Sequence, residues 1–125
     1  MDNSVSEETA IDDVAFEAQV EQARKAAALA NATEPRATLA SYDDSKGLIV
    51  VQLKSGATFS FPTDIAQGLS GADASDLAAV EITPSGEGLH WEALDADLHV
   101  PSLLAGIFGS RSWMAELRSR WQQAS

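Results

Sequence analysis

The stretch RATLASYDDSKGLIVVQLKSGATFSFP, residues 36–62, decides the fold of this chain. Three alternating or β-branched runs are separated by two short turn sequences, SKG at 45–47 and KSG at 54–56. A period of two is typical of strands, and turns this short join antiparallel neighbours. Phe59 and Phe61 fall on one face of the third run, which Pro62 ends. The stretch therefore predicts a three-stranded antiparallel β-meander.

The sequence after residue 62 predicts short helices and additional short strands. We expect a helix around 65–69 and strands at 80–83, 89–91 and 98–100. Pro101 suits the first position of a helix that Gly109 ends, and Ser110 or Ser112 suits the N-cap of a last helix. The apolar positions of these two helices are Leu103, Leu104, Ile107, Phe108, Trp113, Leu117 and Trp121. The predicted class is α+β, a meander with additional short strands packed by C-terminal helices.

The N-terminal quarter of the chain differs from the rest in composition. Residues 1–11 are polar and acidic, and we expect them to be disordered. Residues 12–34 are expected to form an amphipathic helix, because Phe16, Val20, Ala23 and Ala27 recur at spacings of four, three and four. Residues 35–125 then form a single α+β domain. The thin apolar stripe of the helix either docks on that domain or pairs with another chain.

Composition restricts the classes of function. The chain has 125 residues, no cysteine and a formal net charge of -11. Disulfides, thiolate metal sites and cysteine nucleophiles are excluded. Repulsion from phosphates disfavours direct nucleic-acid binding, and no apolar run is long enough to span a membrane. The acidic N-terminus is unlike a signal peptide, so we expect a cytoplasmic protein. The acidity suits either a basic protein partner or simple solubility.

Both histidines of the chain lie within ten residues of several carboxylates. On a strand over 95–100, the polar residues would share one face and the apolar residues the other. We expect a structural role, in which Asp95 or Asp97 caps backbone N–H groups or pairs with Arg36 or Arg111. A metal or acid/base site is the alternative, although the spacing matches no recognised motif. The cluster comprises His90, Glu92, Asp95, Asp97 and His99. We assign no catalytic, cofactor-binding or metal-binding residue and no cofactor.

A few residues near the two ends of the chain are candidates for contact with a partner. Tryptophans near the C-terminus are expected to pack in the core, with contact to a partner as the alternative. Arginines there form the basic patch of an otherwise acidic chain. The candidate contact residues are Phe16, Val20, Arg111, Trp113, Arg118 and Trp121.

Residues 35 to about 115 resemble the bacterial domain-of-unknown-function family 2442. The similarity is most specific in GLHWEALDADLHVPSLLAGIFG, and the strand ending in Phe59, Phe61 and Pro62 agrees with it. The matching positions are Trp91, Leu94, Asp95, Asp97 and Leu104. The resemblance implies a small α+β domain with no established enzyme activity. Some relatives carry a helix-turn-helix segment or lie beside toxin–antitoxin-like genes, which favours a regulatory or antitoxin-like role.

Two classes of function remain open at this point. The expected function is a small acidic, non-enzymatic binding or regulatory protein whose partner is another protein, a homodimer included. A variant is a phage or mobile-element inhibitor of a host nuclease or defence system, an anti-CRISPR-like protein whose charge imitates nucleic acid. The second class is a metal-dependent or acid/base enzyme that uses the histidine and carboxylate cluster.

Overall fold

The computed structural model describes residues 3–124, with the side chains of 14–29 and 33–123. The chain divides into two compact units between Glu34 and Pro35. This boundary coincides with the predicted start of the α+β domain. Within the described residues, no helix combines the length and apolar character that a bilayer crossing requires.

The first unit is a helix, α1, which spans Asn3–Thr33. Its start differs from the expectation, because the helical backbone includes residues 3–11, for which the sequence predicted disorder. Neither glycine nor proline interrupts the segment, so the backbone can continue as one helix. The predicted end near Asn31 and Pro35 agrees with the observed end at Thr33.

The meander opens the second unit as predicted. Strands β1 (Ala37–Asp43), β2 (Leu48–Leu53) and β3 (Thr58–Pro62) form an antiparallel sheet in the order β1-β2-β3. In the first turn, the Ser45 hydroxyl donates a hydrogen bond of 2.7 Å to Asp43 Oδ1 and lowers the pKa of that carboxyl. Gly47 closes the turn at a φ of 67°, a conformation that glycine adopts without strain.

The connection to the second sheet differs from the expectation. A 3-10 turn at Thr63–Ile65 replaces the predicted helix over 65–69. Gly68 and Gly71 adopt φ values of 88° and 76°, which continue the chain as turns instead of a helix. A five-residue helix, α2 (Ala74–Ala78), follows.

The second sheet contains β4 (Glu81–Ile82), β5 (Gly88–Trp91) and β6 (Ala96–His99), in the order β4-β5-β6. These strands confirm the predicted positions within one or two residues. The last strand lies earlier than the expected 98–100, since β6 begins at Ala96 and ends at His99.

Two helices complete the domain. Helix α3 spans Val100–Leu104, with Pro101 in its first turn as predicted. It ends well before Gly109, because Gly106 adopts a left-handed φ of 84°. Ile107 and Phe108 therefore lie in a loop instead of on the helix. Helix α4 spans Arg111–Ala124.

One core joins the two sheets of the second unit. Its largest fully buried side chains include Trp91, Phe61 and Ile49. Buried Trp91 donates its indole N–H to the carbonyl oxygen of Leu77 at 3.1 Å, so its polar group is satisfied. The inward side chains of β5 and β6 belong to the same cluster. The core therefore holds the β5–β6 hairpin, with its outward side chains in a fixed register.

Candidate functional site: the outer face of the β5–β6 hairpin

The outer face of the hairpin carries the polar residues that the sequence brings close together. Leu89 and Leu98 are buried on the inner face, whereas His90, Asp97 and His99 point outward. His90 and Asp97 are direct cross-strand neighbours in the register of β5 and β6. This confirms the predicted alternation of apolar and polar side chains along β6.

His90 is held between two carboxylates. Its Nδ1 lies 2.6 Å from Asp97 Oδ1 and its Nε2 lies 2.7 Å from Glu92 Oε2. Ionised carboxylates only accept hydrogen bonds, so both ring nitrogens act as donors and the ring is cationic. The bond to Glu92, and then the bond to Asp97, raise the pKa of His90 from 6.5 to about 9.

His99 forms a second, separate group. Its Nε2 lies 3.0 Å from Glu87 Oε1 and its Nδ1 lies 2.8 Å from Ser102 Oγ. In the neutral ring, Nε2–H donates to the carboxylate and Nδ1 accepts from the Ser102 hydroxyl. Glu87 and Ser102 were not identified from the sequence. Glu87 lies 12 residues from His99 in the chain, so only the pairing of β5 with β6 brings them together.

Asp95 belongs to the turn of the hairpin and not to strand β6. Its φ is 47°, and its backbone N–H donates to the Glu92 carbonyl oxygen at 3.2 Å. Within the described residues its carboxylate makes no hydrogen bond or ion pair. The prediction that Asp95 or Asp97 caps backbone groups or pairs with an arginine is therefore wrong. Asp97 bonds to His90 instead, because strand register places the imidazole directly opposite.

A groove of about 440 Å³ runs beside β6. Gln67 and Ser110 line it from two different loops, and the Ser110 N–H donates to Gln67 Oε1 at 2.7 Å. A Cβ added to Gly68 would lie 3.0 Å from Ala96 Cβ, so glycine permits this close approach. The residues that line the groove are Gln67, Gly68, Asp95, Ala96, Asp97, Leu98, His99, Ser102, Ile107, Gly109 and Ser110.

The chemistry available in this groove is limited by hydrogen bonds already formed. The Ser102–His99–Glu87 chain has the order hydroxyl, imidazole, carboxylate that activates nucleophiles. Acyl transfer also needs free N–H donors for the developing oxyanion. Nearby backbone N–H groups are engaged: those of Ile107, Phe108 and Ser110 donate to Ser102 O, Met114 Sδ and Gln67 Oε1.

The two histidine-centred groups do not combine into a set of metal ligands. Among the described residues, no three histidine, aspartate or glutamate side chains are grouped so that they could hold an ion. The cluster that the sequence suggested thus divides into a His90 group, a His99 group and an isolated Asp95. The histidines of the first two groups are held by pairwise contacts with Asp97, Glu92, Glu87 and Ser102.

Residues 39–109 match a family described as protein of unknown function (DUF2442). The chain belongs to this family. The resemblance drawn from the sequence is confirmed, and so is the α+β fold. Among curated proteins, none matches the chain.

Two solved structures show the same fold. A crystal structure of a protein of unknown function from Rhodospirillum rubrum has 55% sequence identity and a TM-score of 0.63, and the match covers 66% of this chain and 99% of that one. A solution NMR structure of an uncharacterized protein from Chromobacterium violaceum has 32% identity and a TM-score of 0.64, with 76% and 86% covered.

Most of the positions that resemble the family lie in the β5–β6 hairpin or next to it. Trp91 is fully buried, and Leu94 and Leu104 pack against the core cluster as partly buried residues. Asp97 and Asp95 take the outer-face and turn positions described above. The motif is therefore explained largely by hairpin geometry.

The candidate contact residues are distributed over both units. Phe16 is 65% exposed and Val20 is half-buried on α1. Arg111 and Arg118 are exposed on α4. Trp121 on α4 is 47% exposed.

Trp113 differs from the other candidates, because its side chain is anchored within the domain. Its indole N–H donates to the Ile65 carbonyl oxygen at 2.8 Å. The guanidinium carbon of Arg120 lies 5.8 Å from the centre of the indole ring. This anchored indole accords with the expectation of packing within the domain.

Proposed function

We propose that this chain is a small acidic protein that acts by binding another protein, in a regulatory or antitoxin-like role, and that it catalyses no reaction. The observation that carries the proposal is the exposure of large apolar side chains on α1. Val14 is 67% exposed and Leu29 is 64% exposed. At about 100° per residue, these two residues lie on one side of the helix, opposite Phe16 and Val20.

The reason to expect a partner lies in how helices in proteins are stabilised. Most helices in proteins are stabilised by packing of an apolar face rather than by intrinsic propensity. A helix with apolar residues on two opposite faces is normally covered on both of them. The mutual pairing of the histidines and carboxylates supports the non-enzymatic part of the proposal, since those groups serve the hairpin.

Affinity capture from cells of the source organism tests the proposal. The double substitution Val14→Ala and Leu29→Ala removes the apolar groups and keeps a strong helix former at both positions. We expect the wild-type chain to recover a specific protein and this variant to lose most of it. The matched control, Gln19→Ala, changes a position of the same helix that lies off the Val14 and Leu29 side, and it should recover the partner as the wild type does.

Two outcomes would contradict the proposal. The first is a wild-type chain, expressed at its native level, that recovers no specific protein. The second is equal recovery by the Val14→Ala/Leu29→Ala variant, which would show that this side of α1 is not the contact surface.

A further inference from the structure

Helix α1 carries a second apolar side, opposite Val14 and Leu29. We propose that the Phe16 face of α1, formed by Phe16, Val20, Ala23 and Ala27, binds the same face of α1 in a second copy of this chain, with the two helices antiparallel. This inference rests on the proposed function, since it assigns one of the two helix faces to self-association and leaves the Val14 and Leu29 side for the other protein.

The spacing of the Phe16 face suits a helix pair. Steps of four, three and four residues match the seam of a coiled coil, in which apolar residues repeat every 3.5 residues on average. Two of the four positions are alanine, so the helix axes approach to about 8 Å, the close end of the usual range. A shallow groove of about 320 Å³ lies on this part of α1, lined by Phe16, Glu17, Val20, Glu21 and Arg24.

The charges beside this face select the direction of pairing. Glu17 follows Phe16 and Arg24 follows Ala23, so the two charges flank the same side of the stripe, two turns apart. Within the described residues, neither side chain has an ion-pair partner in its own helix. In an antiparallel pair centred between them, Glu17 of each copy lies near Arg24 of the other, and two-fold symmetry forms this contact twice.

A parallel pair would lose these contacts. In parallel, in-register helices the Glu17 and Arg24 side chains of the two copies lie on opposite sides of the seam, so neither charge meets its counterpart. The acidic N-terminal half of the helix, with Glu7, Glu8, Asp12 and Asp13, would also face its own copy. An antiparallel second copy is thus the occupant that fits both the apolar and the charged residues.

The size of the face sets the expected strength. Stable interfaces bury about 1,200–2,000 Å² in total, and a stripe with two alanines buries less than an obligate dimer needs. We therefore expect a reversible dimer whose population rises with concentration.

Light scattering of the full chain over about a hundredfold range of concentration measures this association. The expected mass rises from the chain mass of 13.2 kDa toward twice that value. Glu17→Arg alone and Arg24→Glu alone should each weaken dimerisation at least about tenfold, because each creates like-charge contacts. The double variant Glu17→Arg/Arg24→Glu restores both contacts and should dimerise within about threefold of the wild type.

Lys25→Glu is the matched control, because it makes the same charge change at the next residue, on the opposite side of the helix. It should leave dimerisation unchanged within about twofold. A second test uses the absence of cysteine in the chain. A mixture of Glu17→Cys and Arg24→Cys chains should form the mixed disulfide under mild oxidation, whereas parallel helices would hold these positions on opposite sides of the seam and give no disulfide.

The outcomes separate this inference from the proposed function. A chain that stays monomeric, or a double variant that is not restored, overturns the antiparallel dimer. If such a chain still captures a protein through Val14 and Leu29, the proposed function stands without it. A dimer that responds to the charge exchange but captures no other protein supports the inference and contradicts the proposed function.

Discussion

Among the described ionisable residues, His90 is the one whose pKa is shifted furthest from its ordinary value. Its two short contacts to Asp97 and Glu92 stabilise the imidazolium and raise its pKa to about 9. The charge of His90 is therefore fixed across the physiological range, and the residue acts as a permanent cation on an acidic face. This role differs from that of a proton shuttle, which needs a pKa near the working pH.

The pKa of His90 gives the first prediction. A titration followed by the NMR shifts of the ring should give a midpoint near 9, and Asp97→Asn and Glu92→Gln should each move it toward 6.5. Because the folded pKa is raised, the stabilisation is fully present below pH 6.5 and is lost as the pH rises through 9. His90→Gln should remove this part of the pH dependence. A midpoint near 6.5 in the wild type would contradict the two contacts.

Asp95 gives the second prediction at this scale. Its φ of 47° is a left-handed conformation that costs an ordinary residue about 1–2 kcal/mol, less for aspartate and nothing for glycine. Asp95→Ala should therefore lower the free energy of unfolding by about 1 kcal/mol, and Asp95→Gly should leave it unchanged or raise it. Denaturant unfolding of both variants measures this. If alanine and glycine behave alike, the turn does not hold this conformation in solution.

At the scale of elements, helix α4 is fixed to the domain through the segment after β3. The indole of Trp113 and the side-chain amide of Gln67 bridge this segment to the start of α4 and to the loop before it. Met114 and Leu117 bury the adjoining face of the helix. The loop that leads into α4, with Gly109 and Ser110, lines the groove beside β6.

The indole bond of Trp113 gives the third prediction. Trp113→Phe keeps an aromatic ring but leaves the Ile65 carbonyl without its donor, which should cost about 1–2 kcal/mol of unfolding free energy. Gln122→Ala, at an exposed position of the same helix, serves as a control and should change stability by less than about 0.5 kcal/mol. Thermal unfolding followed by circular dichroism compares the two. Equal losses would show that α4 is held by its apolar face alone.

The same elements show what the sequence can predict. The meander and the hairpin follow from local signals, an apolar period of two and short turns such as that at Gly47, so their positions were predicted within a residue or two. The segment 65–69 was expected to be a helix, but the chain turns at Gly68, and Gln67 bonds to Ser110, 43 residues away. The Glu87–His99 contact was also missed. Local patterns contain little information about such long-range side-chain pairs.

At the scale of the whole molecule, the core and the exposed helix belong to different units. The buried hydrophobic cluster is drawn from residues between Ala37 and Leu103, all of them within the second unit. The described apolar side chains of α1 are exposed or half-buried. The core therefore lies in the α+β domain, and under the proposed function recognition would fall to the helix.

This division gives the last prediction. A chain that begins at Pro35 retains the cluster, the meander and the His90 contacts, so it should unfold cooperatively with a midpoint within about 3 °C of the full chain. Its helical circular dichroism signal should fall strongly, because α1 is the longest helix, with 31 residues. The truncated chain should also remain monomeric at every concentration that dimerises the full chain. A midpoint lowered by about 10 °C or more, measured at concentrations where both chains are monomeric, would mean that α1 supplies stability to the domain of its own chain. In that case its apolar residues would be core residues rather than surfaces for a partner.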